Sequence, residues 1–327
     1  MKNFAIIGFG GLGKMHFQNL LKIGEERKDV KLVAICNDDL EAIKKTVQTN
    51  ISSVSVENVD FSKYNLYSDY KQMIAEEKLD FAIVALPTWL HCEVCVYCME
   101  HGIDVYTEKP MALTLEQCRK MKETSDKYGK RLMIGHCLRF SDEYIYIKKL
   151  IESNEYGKVK KAEFSRKSPL PSWSAGGWLL DEEKSGGIIV DFHVHDADVI
   201  NWFFGKPKDI SVITNYKDKN YASIYTLYDY PDKKIVCVAD WGLPSSFSFE
   251  AKYAITFEKA YVENVNGEVV VYTDEKTFTP DYEKGDCYYR EINEFISCIA
   301  EDKPFETSPH ESVFSSMEML FSEKNGL

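Results

Sequence analysis

The stretch KNFAIIGFGGLGKMH, residues 2–16, decides the fold. Phe4 to Ile7 is a short apolar run suited to a buried strand, and Lys14 to Ile23 reads as the helix after it. Between them Gly8-Phe9-Gly10-Gly11-Leu12-Gly13 spells G-x-G-x-x-G. In such a turn Gly8 permits the sharp bend, Gly10 lets backbone approach a pyrophosphate, and Gly13 lets the helix pack tightly on the strand. The helix start adds free N–H groups and the positive end of a dipole, which brings Gly11 and Leu12 into the phosphate-binding set. Glycine turns alone are common. One that follows a strand and opens a helix within a βαβ unit predicts a dinucleotide site.

Outward from that turn, strand and helix signals alternate. Val30–Ile35 is a second strand, followed by an amphipathic stretch from Asp38 to about Thr49. Residues 50–60 are polar and read as a loop with a short extra strand. A helix near Tyr70–Glu77, the buried strand DFAIVAL, a helix after Pro87 and a strand at Asp104–Thr107 come next. Leu115–Tyr128 is a further helix and RLMIGH a closing strand. Continuous apolar strands alternating with helices predict a doubly wound parallel sheet of the Rossmann type, covered on both faces.

From about Val159 the texture changes. VKKAEFSRK, DISVITNY, ASIYTLYDY, KIVCVADWG, EAKYAITFE, AYVENVNGEVVVYT and KTFTP alternate aromatic or β-branched residues with polar ones. That pattern predicts a large, open, mostly antiparallel sheet with one covered face, in an α+β domain. Two helices, Tyr288–Ala300 and His310–Phe321, close the chain. The expected division is a dinucleotide-binding domain over 1–137 and a substrate-binding and oligomerisation domain over 138–327.

Bulk properties narrow the function. The chain has 327 residues, above the roughly 250–300 at which single cores stop growing. Its formal charge of −12 disfavours nucleic-acid and anionic-membrane surfaces. No apolar run reaches the roughly 18 residues of a membrane helix, and nothing reads as a signal peptide, so a cytoplasmic location is expected. Nine cysteines, an odd number, do not make a disulfide framework. Cys92, Cys95 and Cys98 fall at spacings of three within a helical run, which suits core packing better than a closed metal site. His193 and His195 with Asp191 hint at a metal, but a helix turns His193 away from that face. No metal centre is expected.

The end of the second strand reads AICNDDLEA, residues 34–42. An acidic group there would bind the adenosine ribose hydroxyls and repel a 2′-phosphate. Asn37 holds the expected position with Asp38 beside it, and no Arg or Lys stands at that corner. NAD is favoured, with NADP left open.

Five segments then fall into order: GFGGLG at 8–13, ALPTWLH at 85–91, TEKP at 107–110, GHCLRF at 135–140 and WLLDEEKSGGIIVDFHVHDADVINWFFG at 178–205. With them the chain resembles, over nearly its whole length, the glucose–fructose oxidoreductase / inositol dehydrogenase / rhizopine-catabolism family of NAD(P)-dependent oxidoreductases. The resemblance implies that Lys109, Asp191 and His195 are the catalytic positions. It places Pro87, Thr88 and His91 beside the nicotinamide, lets Glu108 shape the cofactor pocket, and sets Arg139 within reach of cofactor or substrate. It also implies a homodimer or homotetramer formed through the open face of the second sheet.

Those residue types suit the chemistry. Oxidation of a secondary alcohol removes a hydroxyl proton as hydride leaves the carbon. A histidine, with an unperturbed pKa near ~6.5, can take that proton at neutral pH. The Lys109 ammonium would stabilise the developing alkoxide, and Asp191, four residues before His195, would share its helix face. Trp173 and Trp178, with Asp181, could line a polyol pocket in the SPLPSWSAGGW loop. A sugar, cyclitol or related polyol is the expected substrate. An enzyme that retains and internally recycles its NAD, as some glycosidases do, is the alternative, and a dinucleotide or sugar sensor is a third reading.

Overall fold

Strands made of Ile, Val, Ala and Phe bury both faces only when helices cover them, and the first part of the chain is built that way. A computed structural model describes residues 1–48, 53–214, 222–265 and 267–326. Strand β1 (Lys2–Ile7) leads to helix α1 (Gly11–Glu26), β2 (Val30–Cys36) and the small pair β3 (Val47–Gln48) and β4 (Ser53–Val54). There follow β5 (Asn65–Tyr67), α2 (Tyr70–Glu76), β6 (Phe81–Val84), α3 (Thr88–Glu100), β7 (Asp104–Glu108), α4 (Leu115–Tyr128) and β8 (Leu132–Gly135). The six-stranded sheet runs β5-β2-β1-β6-β7-β8 and is parallel throughout. Its order reverses between β1 and β6, so the carboxyl ends of those strands open the crevice where such sheets hold ligands.

One stretch departs from the expected alternation. Between Asp38 and Thr49 the structure has a single 3-10 turn, Leu40–Lys44, and then β3; Thr49 itself lies outside the described residues. Asp39 starts the turn by accepting from the N–H groups of Glu41 and Ala42. The buried Lys14 ammonium then takes the carbonyls of Ala42 at 2.7 Å and Lys45 at 2.6 Å. A continuing helix would spend those carbonyls on its own N–H groups, so the lysine ends it. The extra strand expected within 50–60 is β4, and residues 50–52 lie outside the described residues.

The second part comprises α5 (Asp142–Ser153), β9 (Val159–Lys167), α6 (Glu182–Ser185), α7 (Val194–Phe204), β10 (Asp209–Thr214), β11 (Ser223–Asp229) and β12 (Lys234–Asp240). It continues with β13 (Glu250–Phe257), β14 (Tyr261–Val265), β15 (Glu268–Tyr272), β16 (Thr277–Phe278), α8 (Cys287–Glu301) and α9 (His310–Asn325). The end of the DISVITNY segment, Asn215 and Tyr216, lies outside the described residues. The eight-stranded sheet runs β10-β11-β12-β9-β13-β14-β15-β16. Its pairings are antiparallel except for β9 with β12. Alternation is visible on β11, where Ile224, Thr226 and Tyr228 are buried while Tyr225 and Leu227 are exposed.

Two compact units result. One holds Met1–Cys137 with Trp173–Trp178 and Tyr288–Phe314; the other holds Leu138–Ser172, Leu179–Cys287 and Ser315–Leu327. Among the described residues, no helix is long and apolar enough to cross a membrane.

Candidate functional site

In the first unit the glycine loop is shaped by backbone contact. Gly8 has φ +92°, and a Cβ there would lie 2.5 Å from the Ala85 carbonyl oxygen. A Cβ on Gly13 would run into the carbonyl of Gly8, so the start of α1 rests directly on the loop. Gly10 differs: a Cβ there meets nothing within 4 Å. The Lys14 N–H donates to the Gly10 carbonyl at 3.0 Å, so the N–H groups of Gly11, Leu12 and Gly13 come before that bond and have no intrahelical partner. No side chain caps this helix, and its first turn carries no acid. An open backbone face, free donors and a dipole end together fit a dinucleotide pyrophosphate.

Asn37 secures the loop from the end of β2. Its Oδ1 accepts from the Phe9 N–H at 2.9 Å, and its Nδ2 donates to the Asp39 carbonyl at 2.8 Å. The Asp38 side chain beside it stays exposed. Lys14, whose ammonium is bound by two carbonyls, lies under the same corner, and burial pushes its pKa down.

The segment after β7 is held by two histidines. His16 of α1 meets the Glu108 carboxylate at 2.5 Å, and the Tyr106 hydroxyl donates to the same oxygen at 3.2 Å. Burial pushes the Glu108 carboxyl up, yet the bond to His16 and the charges of His16 and Lys109 outweigh it and hold it below its usual range. The Glu291 carboxylate, from α8, belongs to the same buried cluster. His91 faces the Pro110 carbonyl with Nδ1 at 2.8 Å and the Leu86 carbonyl with Nε2 at 2.7 Å, and burial lowers its pKa. It thereby links the ALPTWLH and TEKP segments. Thr88 is buried at the start of α3, behind Pro87, and Lys109 between its two anchors is half-buried. Trp178 packs edge-on against Trp89 at 5.5 Å, while Trp173 is 49% exposed.

In the second unit Asp191 lies in a π-helical turn, Ile188–His193, which runs straight into α7. Such turns shift a helix face locally and recur at functional sites. Of residues 188–201 only Asp191 and His195 keep partial exposure; the rest are buried. The buried polar side chains among them are paired. Asp196 takes Arg166 through two bonds of 2.7 and 3.1 Å, and Asp198 takes Arg139 through two of 2.8 and 2.7 Å, with Ser316 donating to it at 2.7 Å. Arg139, a candidate substrate contact by resemblance, thus has its guanidinium fully buried on Asp198. His193 is held by Glu323 at 2.8 Å and the Tyr228 hydroxyl at 3.1 Å, facing away from the exposed pair.

Cys92, Cys95 and Cys98 are buried along α3 with Cys118 of α4 also buried, and burial pushes the Cys95 thiol up to about 12. Lys14, His16 and Glu291 belong to no motif. Their only sequence signal is that Lys14 and His16 fall in the first turns of α1, where a polar side chain at a buried position needs a partner.

The two glycines should separate on substitution. Gly10→Ala should change stability by no more than about 1 kcal/mol yet weaken dinucleotide binding, whereas Gly13→Ala should cost about 1–3 kcal/mol in denaturant unfolding. Equal stability losses would show that Gly10 is not an open face.

Comparison with known proteins agrees with this geometry. Residues 2–136 match the model of the oxidoreductase family with an NAD-binding Rossmann fold, and residues 144–263 match that of the GFO/IDH/MocA C-terminal domain. A 2,7-anhydro-N-acetylneuraminate hydratase from Mediterraneibacter gnavus is 28% identical over 64% of this chain and 51% of its own length. Inositol 2-dehydrogenase from Salmonella typhimurium is 25% identical over 69% of this chain and 60% of its own length. The chain therefore spans only about half to three-fifths of these relatives in alignment. An Agrobacterium radiobacter oxidoreductase, solved in complex with NAD+, L-tartaric acid and magnesium, superposes with a TM-score of 0.81 at 16% identity, covering 99% of this chain and 96% of that one. At that identity the likeness speaks for the fold alone. The two matched domains, in order and covering most of the sequence, place the chain in the glucose–fructose oxidoreductase / inositol dehydrogenase / rhizopine-catabolism family.

Proposed function

We propose that the chain transfers hydride between a secondary alcohol of a sugar, cyclitol or related polyol and NAD(P), with Lys109 and His195 handling the proton. The observation that carries this reading is the selective exposure of Asp191 and His195 in an otherwise buried helical stretch. A core helix has no packing reason to present an acid and an imidazole together; a proton-transfer pair does. When bound, the nicotinamide supplies the hydride acceptor. The backbone of Gly10, Gly11, Leu12 and Gly13 would hold its phosphates, and Asp38, with Asn37 behind it, the adenosine ribose. The exposed Asp38 carboxylate, with no Arg or Lys among residues 34–42, favours NAD over NADP.

His195 takes the hydroxyl proton, and Lys109 stabilises the alkoxide that develops on the same oxygen. Asp191 orients the substrate or the imidazole, and Trp173 and Trp178 contribute aromatic surface to a ring substrate. Pro87, Thr88 and His91 would frame the nicotinamide side, with Glu108 shaping that pocket, while Arg139, paired with Asp198, would hold the helix that carries His195. The hydratase among the relatives favours a second reading, in which the same groups run a reversible oxidation and the cofactor is regenerated within each turnover. The unbridged cysteines suit a reducing compartment such as the cytoplasm.

Assembly is part of the proposal. On the open face of the second sheet Ile213 pairs across strands with Tyr225, and Leu227 with Val236, and all four are exposed. A contiguous apolar face of this kind suits a homodimer or homotetramer contact.

Lys109→Ala should lower turnover about a hundredfold or more while leaving dinucleotide affinity largely intact. His195→Ala should remove an ionisation from the pH profile of kcat/KM. Full activity in Lys109→Ala would defeat the mechanism. Light scattering should show an oligomer that Tyr225→Glu with Leu227→Glu converts to monomer; a monomeric parent chain would remove the assembly reading.

A further inference from the structure

Outside the groups discussed so far, one cluster has the composition and geometry of a ligand site. His310 opens α9, and the two residues before it lie along β8, the edge strand of the six-stranded sheet. Ile134 and Ser308 exchange two hydrogen bonds there: the Ile134 N–H donates to the Ser308 carbonyl at 3.4 Å, and the Ser308 hydroxyl donates to the Ile134 carbonyl at 2.8 Å. Met133 and Pro309 form a β-bridge beside them.

This seating fixes the imidazole. His310 Nδ1 faces the Leu132 carbonyl at 3.2 Å. A carbonyl only accepts, so Nδ1 carries the hydrogen and Nε2 presents a lone pair in the neutral ring. Nε2 is buried without a hydrogen-bond partner, in a residue only 7% exposed. It points at two carboxylates, Glu311 Oε1 at 3.5 Å and Asp126 Oδ1 at 3.8 Å. Lys122 binds the other oxygen of Asp126 at 2.6 Å, leaving Oδ1 toward the histidine. The three donor atoms lie within 4.8 Å of one another, and both carboxylates are exposed.

We propose that His310, Asp126 and Glu311 bind a borderline divalent transition metal, with Zn2+ as the fitting ion. Bonds of about 2.0–2.2 Å in a tetrahedron separate donors by roughly 3.3–3.6 Å. The imidazole is already 3.5 and 3.8 Å from the two acids, and the two exposed carboxylates, within 4.8 Å of each other, close the remaining gap by side-chain rotation. One imidazole with two carboxylates favours zinc-like ions over magnesium or calcium, which prefer oxygen throughout. The Leu132 carbonyl on Nδ1 supplies the outer hydrogen bond that orients a ligating histidine. Exposure of the acids gives the ion a path in and leaves room for water as a fourth ligand. The bound ion would tie α4 to the start of α9 and hold residues 308–310 over the edge of β8, where an unpaired strand would otherwise lie open. A protonated His310 in a loose ion pair with the same acids is the competing reading.

Calorimetric titration of the chelator-treated full chain with Zn2+ separates the two. The expected result is one equivalent of tight binding, unaffected by excess Mg2+. His310→Asn and the exposed substitution Glu311→Gln should each weaken it at least roughly tenfold, since even an outer partner of a ligand counts for that much. Lys122→Met, which removes the ammonium competing for Asp126, should tighten it. Failure to bind one equivalent, or binding unchanged in both Glu311→Gln and Lys122→Met, would overturn the site; persistence of that binding until cysteines are replaced would trace it to thiols.

Discussion

The bond between His16 and Glu108 is the constraint on which the first unit depends. It joins the helix that begins at the glycine loop to the strand end that carries Lys109, across 92 residues of sequence. A carboxylate buried this deeply is costly unless a cation or strong donor answers it, and here the imidazole and the nearby ammonium do. Around this bond the remaining ties fall into place. Asn37 braces the loop from the β2 side, and His91 links the segments after β6 and β7. The glycine loop and the segment that carries Lys109 are therefore each fixed by buried polar contacts.

The second unit solves a similar problem differently. Its π-turn and α7 carry five acidic or imidazole side chains: Asp191 and His195 are partly exposed, and His193, Asp196 and Asp198 are buried where core packing would reject them unpaired. Each buried one has a matched partner, Glu323, Arg166 or Arg139. Such pairs add little net stability, but losing one partner would leave a buried charge unanswered, so they hold the helix in one rotational setting. In that setting Asp191 and His195 face out together.

Much of this was legible in the sequence because it is local. The glycine motif, the apolar strands and the TEKP segment are readable from neighbours alone, and Leu115–Tyr128 is a helix as its pattern predicts. What escaped is non-local. The residues after Asp38 carry a helical pattern that yields to the ammonium of Lys14, which lies 28 residues before the Ala42 carbonyl it binds. The π-turn under Asp191 leaves no mark in spacing that an α-helix would not also leave. His310 and Asp126 lie on different helices, and only the pairing of residues 308–310 with β8 brings them together. The four-residue separation of Asp191 and His195 suggests one face of an α-helix; the structure has a π-turn running into α7 there, with both residues partly exposed.

The most direct measurement is nicotinamide absorbance with NAD and with NADP against cyclitols, aldoses, amino sugars and sugar acids. The account predicts steady net reduction with one polyol class, faster with NAD. No net reduction across the panel, with dinucleotide still bound to the protein, would contradict it and leave internal recycling or sensing.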